Sequence, residues 1–153
     1  MRLYLVRHAT AQSDHLDPRR PLSERGRQEV EKVAAFLREK NLKIGVLWHS
    51  TKLRAIQTAE ILASALQIDN GVLPREGLSP NDPIDPMQKE IVFGQSDLMI
   101  VGHLPFVSLM ASRLLTGDSG SDIISFYAAT VVCLEGEGDN WRLAWMITPA
   151  LLD

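Results

Sequence analysis

Leu3-Tyr4-Leu5-Val6, followed directly by Arg7-His8, is the stretch of sequence that decides the fold. Its four apolar residues run without alternation, which predicts a strand covered on both faces, as in a parallel sheet. An apolar run followed by polar residues occurs again at Gly45 to Trp48 and at Leu98 to Val101. We therefore expect three buried strands that belong to one sheet.

Two helical patterns lie between the first and third of these strands. Ser23 is placed to cap the first helix, although Gly26 weakens its first turn. Ser50 or Thr51 is placed to cap the second helix, directly after the second strand. The apolar positions at helical spacing are Val30, Val33, Ala34 and Leu37 in the first helix, and Ile56, Ala59, Leu62, Ala63 and Leu66 in the second.

The segment from residue 74 to residue 86 contains four prolines, which predicts an ordered surface loop. Asp85 is predicted to cap a helix that has Pro86 at its first position and reaches about Phe93. Pro105 can begin another helix, whose stripe consists of Phe106, Leu109, Met110, Arg113 and Leu114. Residues 117 to 122 have the composition of a loop.

The end of the chain predicts an antiparallel hairpin formed by Thr130 to Leu134 and Trp141 to Ile147. Alternation would place Trp141, Leu143, Trp145 and Ile147 on one face of the second strand. Strands that alternate with helices and end in a hairpin predict an α/β protein. We expect one domain over residues 1–153, a three-layer α/β/α sandwich with a mostly parallel sheet.

Composition excludes several classes of protein. With 153 residues, 45% hydrophobic and 23% charged, the chain reads as a globular domain rather than a disordered or fibrous protein. A net charge of −3 argues against a broad surface for nucleic acid or anionic membrane. The single cysteine, Cys133, lies in an apolar run and is expected in the core. Because Arg7-His8 interrupts the opening apolar run, neither a leader peptide nor a membrane span is expected, and the predicted location is the cytoplasm.

The predicted strand ends carry the chemistry. Ligands of open α/β sheets bind outside the carboxyl ends of the strands, which here are followed by Arg7-His8, Ser50 to Arg54 and Gly102-His103. Cationic side chains beside helix N-termini favour a phosphate. Arg7 and Arg54 can clamp phosphoryl oxygens, and a neutral His8 can attack phosphorus. His103 can donate to the phosphoryl oxygens, so the set needs no metal.

Leu5-Val6-Arg7-His8-Ala9 resembles the signature of the histidine phosphatase superfamily, the group that includes cofactor-dependent phosphoglycerate mutase. The resemblance continues through Arg20-Pro21-Leu22-Ser23-Glu24-Arg25-Gly26, through Ser50-Thr51-Lys52-Leu53-Arg54-Ala55-Ile56-Gln57-Thr58-Ala59 and through Val101-Gly102-His103-Leu104-Pro105, in that order along the chain. The short length, Ala9, the Arg20-Pro21-Leu22 segment and the Gly102-His103-Leu104-Pro105 turn are most similar to the SixA branch of phosphohistidine phosphatases. The resemblance implies a phosphoglycerate mutase-like fold.

The resemblance also implies roles for individual residues. His8 would be the nucleophile that becomes transiently phosphorylated, Arg7 and Arg54 would bind the phosphoryl group, and His103 would complete the pocket. Arg20 is a candidate rim contact, and Ser50 matches a patterned position outside the reacting core.

Other polar residues carry weaker expectations. The mutase-like branches of the superfamily carry a carboxylate as general acid. Glu76 and Asp82 lie in the loop region that corresponds to it and are the candidates for this role. His15 is expected in an exposed loop, and His49 is expected to have a structural role. No metal site or cofactor is expected, since the four histidines lack zinc-ligand spacing.

Three functions remain open from the sequence. The leading one is a phosphatase that removes phosphate from phosphohistidine on a protein, a phosphotransfer domain of a signalling relay. The alternative within enzymes is a phosphatase for a small phosphate ester such as a sugar phosphate or nucleotide. A phosphate-recognition module without turnover is the alternative of another class. The sequence names no oligomeric state.

Overall fold

The computed structural model describes all residues from Met1 to Asp153. Eight strands and four α-helices follow one another along the chain. They are β1 (Arg2–Arg7), α1 (Glu24–Arg38), β2 (Lys43–Ile44), β3 (Val46–His49), α2 (Leu53–Ala63), β4 (Gln67–Ile68), β5 (Val72–Pro74), α3 (Asp85–Phe93), β6 (Leu98–Gly102), α4 (Phe106–Thr116), β7 (Val131–Glu137) and β8 (Asn140–Ile147). Short 3₁₀ turns occupy Ser119–Ser121 and Pro149–Leu151.

Six strands form the central sheet in the order β5-β3-β6-β1-β7-β8. The first four are parallel, while β7 pairs antiparallel with β1 and β8 pairs antiparallel with β7. One apolar cluster packs α1 and α2 on one face of the sheet, and a second packs α3 and α4 on the other. The predicted three-layer α/β/α sandwich with a mostly parallel sheet and a C-terminal hairpin is confirmed. No helix combines the length and the apolar character that crossing a membrane would require.

The predicted one-sided pattern of the second hairpin strand is wrong. Cys133 pairs with Trp145, but its neighbour Leu134 pairs with Leu143, so Ala144 is an extra residue in β8. An extra residue reverses the side to which all following residues point. Trp141 therefore packs in the α3 and α4 cluster, whereas Trp145 packs against the α1 and α2 cluster.

Two predicted helix caps are also wrong. The residue before α2 is Lys52, and no side chain caps that helix. Asp85 does not precede α3 but is its first residue, where its carboxylate accepts a hydrogen bond from Arg113 at 2.9 Å. The predicted cap of α1 is correct, because Ser23 Oγ accepts the Gly26 N–H at 3.0 Å.

The segment from residue 11 to residue 22 leaves the sheet after β1 and returns to almost the same point. Ala11 forms an isolated bridge with Leu22, and Gln12 N donates to Pro21 O at 2.8 Å. Thr10 O accepts the Ser23 N–H at 3.0 Å, which ties the start of α1 to the end of β1. A Cβ on Gly26 would lie 1.9 Å from Thr10 O, so glycine permits this close approach.

Candidate active site

The carboxyl ends of β1, β3 and β6 lie side by side because these three strands are neighbours in the parallel part of the sheet. Backbone hydrogen bonds continue past the strand ends: His8 N donates to Gly102 O at 2.9 Å, and Ser50 N donates to Val101 O at 3.0 Å. The structure thus brings together the three segments that the sequence singled out. The ring centroids of His8 and His103 are 5.1 Å apart, in an edge-on arrangement.

His8 is held with one ring nitrogen free. Its Nδ1 lies 2.7 Å from the carbonyl oxygen of Ala9, and because a carbonyl only accepts, Nδ1 carries the proton. Burial lowers the pKa of His8 to about 4, and the charges of Arg54 and Arg7 act in the same direction. At neutral pH the ring is therefore uncharged, and the Nε2 lone pair is available for attack on an electrophile.

His103 is bound to Ser50, and both side chains are almost completely buried. Their Nε2 and Oγ atoms are 2.7 Å apart, and the same Oγ accepts the backbone N–H of Lys52 at 3.3 Å. If the Ser50 hydroxyl donates to Nε2, its own proton is satisfied and the His103 proton lies on Nδ1. We assign this tautomer because it leaves fewer buried polar groups without a partner. Burial, followed by the nearby His8, lowers the pKa of His103 to about 3, so the ring is neutral.

Three buried nitrogen atoms of the site have no hydrogen-bond partner. They are Nε of Arg7, Nε of Arg54 and Nδ1 of His103. Arg7 is fixed from its other end, since Nη1 donates to Phe126 O at 2.8 Å. Burial lowers the pKa of both arginines, although neither loses its charge at neutral pH. Unpartnered donors of this kind fit an anion with several acceptor oxygens.

Arg20 and Lys52 add positive charge around the pocket. The charge of Arg20 lowers the pKa of His8, of Arg54 and of His103, and Lys52 acts on His103. Arg20 Nε donates to Gln12 O at 3.1 Å, and its backbone has a left-handed φ of 49°. Arg20 therefore adds positive charge to the surroundings of both histidines, in a chain whose net charge is −3.

Thr58 is a residue of this region that the sequence reasoning missed. It is fully buried in α2, where its hydroxyl accepts the Ala9 N–H at 3.1 Å and donates to Arg54 O at 2.8 Å. Ala9 is also the residue whose carbonyl holds the His8 proton. A hydroxyl on the apolar stripe of α2, one turn after Arg54, is the signal that could have indicated this role.

The two candidate acids lie in different environments. Glu76 is exposed, while Asp82 Oδ2 accepts the Ser79 N–H at 2.8 Å and so stabilises its own loop. Arg75, next to Glu76, stacks 4.0 Å from the Trp48 ring and donates to both carboxylate oxygens of Glu90. The structure gives neither acid a contact with His8 or His103.

The remaining polar residues that the sequence singled out are also accounted for. His15 is exposed, and the buried His49 donates from Nδ1 to Ser50 O at 2.9 Å. Cys133 is buried in the core. No group of three or more His, Cys, Asp or Glu side chains is arranged to hold a metal ion.

Comparison with known proteins identifies similar chains. The family model of the histidine phosphatase superfamily (branch 1) matches residues 3–78. Phosphohistidine phosphatase SixA of Escherichia coli is 24% identical over 157 residues, covering 99% of this chain and 96% of that protein. An uncharacterized protein of Picosynechococcus is 32% identical over 128 residues, or 78% of this chain and 76% of that one. The solved structure of the protein histidine phosphatase SixA complexed with tungstate superposes with a TM-score of 0.87 at 22% identity, covering 99% of both chains.

Proposed function

We propose that this chain, which belongs to the histidine phosphatase superfamily, removes the phosphoryl group from phosphohistidine on a protein. In this proposal the substrate protein is a phosphotransfer domain of a signalling relay. The observation that carries the proposal is the state of His8. Its Nδ1 proton is engaged by Ala9, its ring is neutral, and it lies near unpartnered buried donors of Arg7, Arg54 and His103. These are a nucleophile and a receptor for phosphoryl oxygens in one place.

In the first step, the Nε2 lone pair of His8 attacks phosphorus as the bond from phosphorus to the substrate imidazole breaks. The bond electrons return to that imidazole nitrogen, which leaves as part of a neutral ring when its other nitrogen is protonated. Phosphorylated His8 becomes positively charged because it keeps the Nδ1 proton, which the Ala9 carbonyl holds at 2.7 Å. Arg7, Arg54 and His103 would stabilise the charge on the equatorial oxygens.

In the second step, water attacks the phosphorus of phosphorylated His8. The electrons of the bond between phosphorus and nitrogen return to Nε2, which restores neutral His8 and releases inorganic phosphate with the oxygen and protons of the water. Burial supports this return because it lowers the pKa of His8 to about 4, which favours the neutral ring.

The surroundings of the two histidines favour phosphohistidine over alkyl phosphates. An imidazole leaving group has a conjugate acid with a pKa of about 6.5, whereas an alkoxide resembles hydroxide, whose parent acid has a pKa of about 15.7. An alkoxide therefore needs a positioned proton donor. The charges of Arg54 and Arg20 act on both rings, and no carboxylate is among the principal groups that shift the pKa of either one. The absence of a nearby carboxylate supports phosphohistidine, whose imidazole can leave without a protein acid, over an alkyl phosphate.

A small phosphate ester is the second candidate, and the position of Glu76 favours it. The Arg75 N–H donates to His49 O at 2.9 Å, which places the following Glu76 on a loop that starts beside the carboxyl end of β3. This candidate requires the Glu76 carboxyl group to reach a leaving oxygen of the ester. In that case Glu76 would act as the general acid.

The test compares kcat/KM for a phosphohistidine protein, a panel of phosphorylated metabolites and a phosphotyrosine peptide. We expect the phosphohistidine protein to be preferred, His8→Ala to be inactive, and His15→Ala, the matched change of an exposed histidine, to be unaffected. Rapid quench with labelled substrate should give an acid-labile phosphoenzyme that is absent from His8→Ala. Activity is expected to persist in EDTA, since Arg7 and Arg54 supply fixed positive charge. Preference for a metabolite, or label on a serine or carboxylate, would overturn the proposal.

A further inference from the structure

A cleft of about 550 Å³, here called the α1 cleft, lies along α1. One wall is a stripe of charged and polar side chains on α1, and the other is formed by two segments that include apolar residues. The α1 wall consists of Arg25, Gln28, Glu29 and Lys32, and the facing wall of Tyr127, Ala128, Thr148, Pro149 and Ala150; Thr10 also lines the cleft. The cleft therefore presents a charged side and an apolar side to one occupant.

Residues that line the α1 cleft are next to residues of the phosphate site along the chain. Thr10, which lines the cleft, is two residues from His8. Tyr127 follows Phe126, whose carbonyl accepts the hydrogen bond from Arg7, and Ala129 N donates to Arg7 O at 3.1 Å. A molecule whose phosphoryl group reaches His8 would thus have its adjoining surface at the cleft.

The α1 wall of the cleft is long enough to lie against two turns of a helix. From Arg25 to Lys32 the wall follows α1 for seven residues, or about 10 Å at 1.5 Å per residue. Two turns of an α-helix have the same length. An amphipathic helix laid in a groove contacts such a surface through residues one and two turns apart.

Charge and exposure define the chemistry of the occupant. Lys32 makes no ion pair, and the largely exposed Arg25 is only 3.6 Å from Glu29, whose other oxygen is engaged by the Thr10 N–H at 3.0 Å. On the opposite wall, the Tyr127 side chain is 64% exposed and is free to contact an occupant of the cleft. The cleft thus offers an unpaired cation and an apolar anchor.

We propose that the α1 cleft docks the partner protein's helix that carries the phosphohistidine, with an acidic residue of that helix facing Lys32 and an apolar residue against Tyr127. The proposal rests on the proposed function, and it assigns the recognition of the protein to a surface separate from the phosphate pocket. It predicts that protein and small substrates respond differently to changes in the cleft.

The test uses the full chain with two substrates, a phosphorylated histidine phosphotransfer domain and free phosphohistidine. Lys32→Glu and Tyr127→Ser alter the cleft. The matched controls are Lys89→Glu and Phe93→Ser, which change an exposed lysine and an 81% exposed aromatic on α3, across the sheet from α1. For each cleft variant we expect kcat/KM to fall at least tenfold for the domain and to stay within twofold for free phosphohistidine, whereas the controls stay within twofold for both.

The outcomes separate the two proposals. If the unaltered chain hydrolyses both substrates but the cleft variants lose no more activity on the domain than the controls do, docking in the α1 cleft is wrong and the proposed function stands. Equal losses on both substrates would also overturn docking, because they would show damage to the pocket. If the unaltered chain hydrolyses neither substrate, the proposed function is wrong, and the docking proposal is overturned with it.

Discussion

Replacement of Thr58 by valine tests the hydrogen bond between α2 and the turn that carries the nucleophile. Valine keeps the shape of threonine but removes the hydroxyl that accepts the Ala9 N–H at 3.1 Å. Both Thr58 and Ala9 are fully buried, so that N–H would have no other partner. A buried group left unsatisfied costs about 1–3 kcal/mol. For a domain of this size, about 2 kcal/mol corresponds to a fall in Tm of roughly 4–8 °C.

The same substitution should affect catalysis beyond its effect on stability. Ala9 supplies the carbonyl that holds Nδ1 of His8, so a shift of Ala9 moves the attacking Nε2. A misplacement of about 1 Å can cost on the order of a hundredfold in rate. We therefore expect Thr58→Val to lower kcat by about 10-fold to 100-fold with a smaller change in KM, because the phosphate-binding side chains are unaltered.

The measurements are urea denaturation and single-turnover kinetics on a phosphohistidine protein. Thr58→Ser keeps the hydroxyl and should retain kcat. Ser112→Ala is the matched control for a buried hydroxyl, since Ser112 Oγ has no hydrogen-bond partner, and it should change neither stability nor kcat appreciably. The reasoning is refuted if Thr58→Val keeps full kcat, or if Thr58→Ser loses as much rate as Thr58→Val.

Four further outcomes are expected. Because the pKa of His8 is lowered to about 4, kcat/KM should persist as the pH falls through 6.5 and decline only as His8 gains its proton near pH 4. The stability contributed by the neutral ring is present above pH 6.5 and is lost as the pH falls toward 4. A kinetic midpoint near pH 6.5, measured where circular dichroism shows a folded protein, would contradict this. Arg54→Ala removes a buried donor and should reduce kcat/KM by about 10²–10³-fold, with weaker inhibition by vanadate as the check on phosphate binding. Glu76→Gln and Asp82→Asn should each keep phosphohistidine turnover within about tenfold, because neither supplies an indispensable proton; a thousandfold loss in a folded variant would support the small-ester function. Gly26→Ala should destabilise the protein in urea, although alanine is the better helix former by about 1 kcal/mol, because its Cβ would meet Thr10 O at 1.9 Å; a more stable variant would show that the contact relaxes freely.

The parts of the fold that the sequence predicted are those with a repeated local pattern. The unbroken apolar runs at Leu3 and Leu98 identified central strands because burial on both faces leaves no room for polar residues. Strands β2, β4 and β5 were missed, since two or three residues are too few to show a period. The bulge at Ala144 was missed for another reason. Its position depends on the register between β7 and β8, which the sequence of β8 alone does not determine.

The residues of the site also fall into those that a local pattern predicted and those that it did not. The order of strands and turns was enough to predict that Arg7, His8 and His103 meet, because carboxyl ends of neighbouring parallel strands share an edge. Ser50 was interpreted as a helix cap on local grounds, yet its hydroxyl binds His103, 53 residues away in the chain. Thr58 was missed because its partner, Ala9, lies 49 residues away. Hydrogen bonds between distant residues depend on the assembled sheet and leave little trace in local sequence.

The closed base of the 11–22 segment makes that segment a natural place for insertions. The Ala11 to Leu22 bridge and the bond from Ser23 to Thr10 fasten both ends, whereas residues 13–16 are exposed. Doubling the length of a flexible loop costs only about 0.6 kcal/mol in closure entropy. Added residues would extend into solvent without displacing the turn after β1. A peptide tag or a fluorophore inserted between residues 13 and 16 would therefore lie near the phosphate site. The hydrogen bonds that hold His8 and Ala9 would stay unchanged.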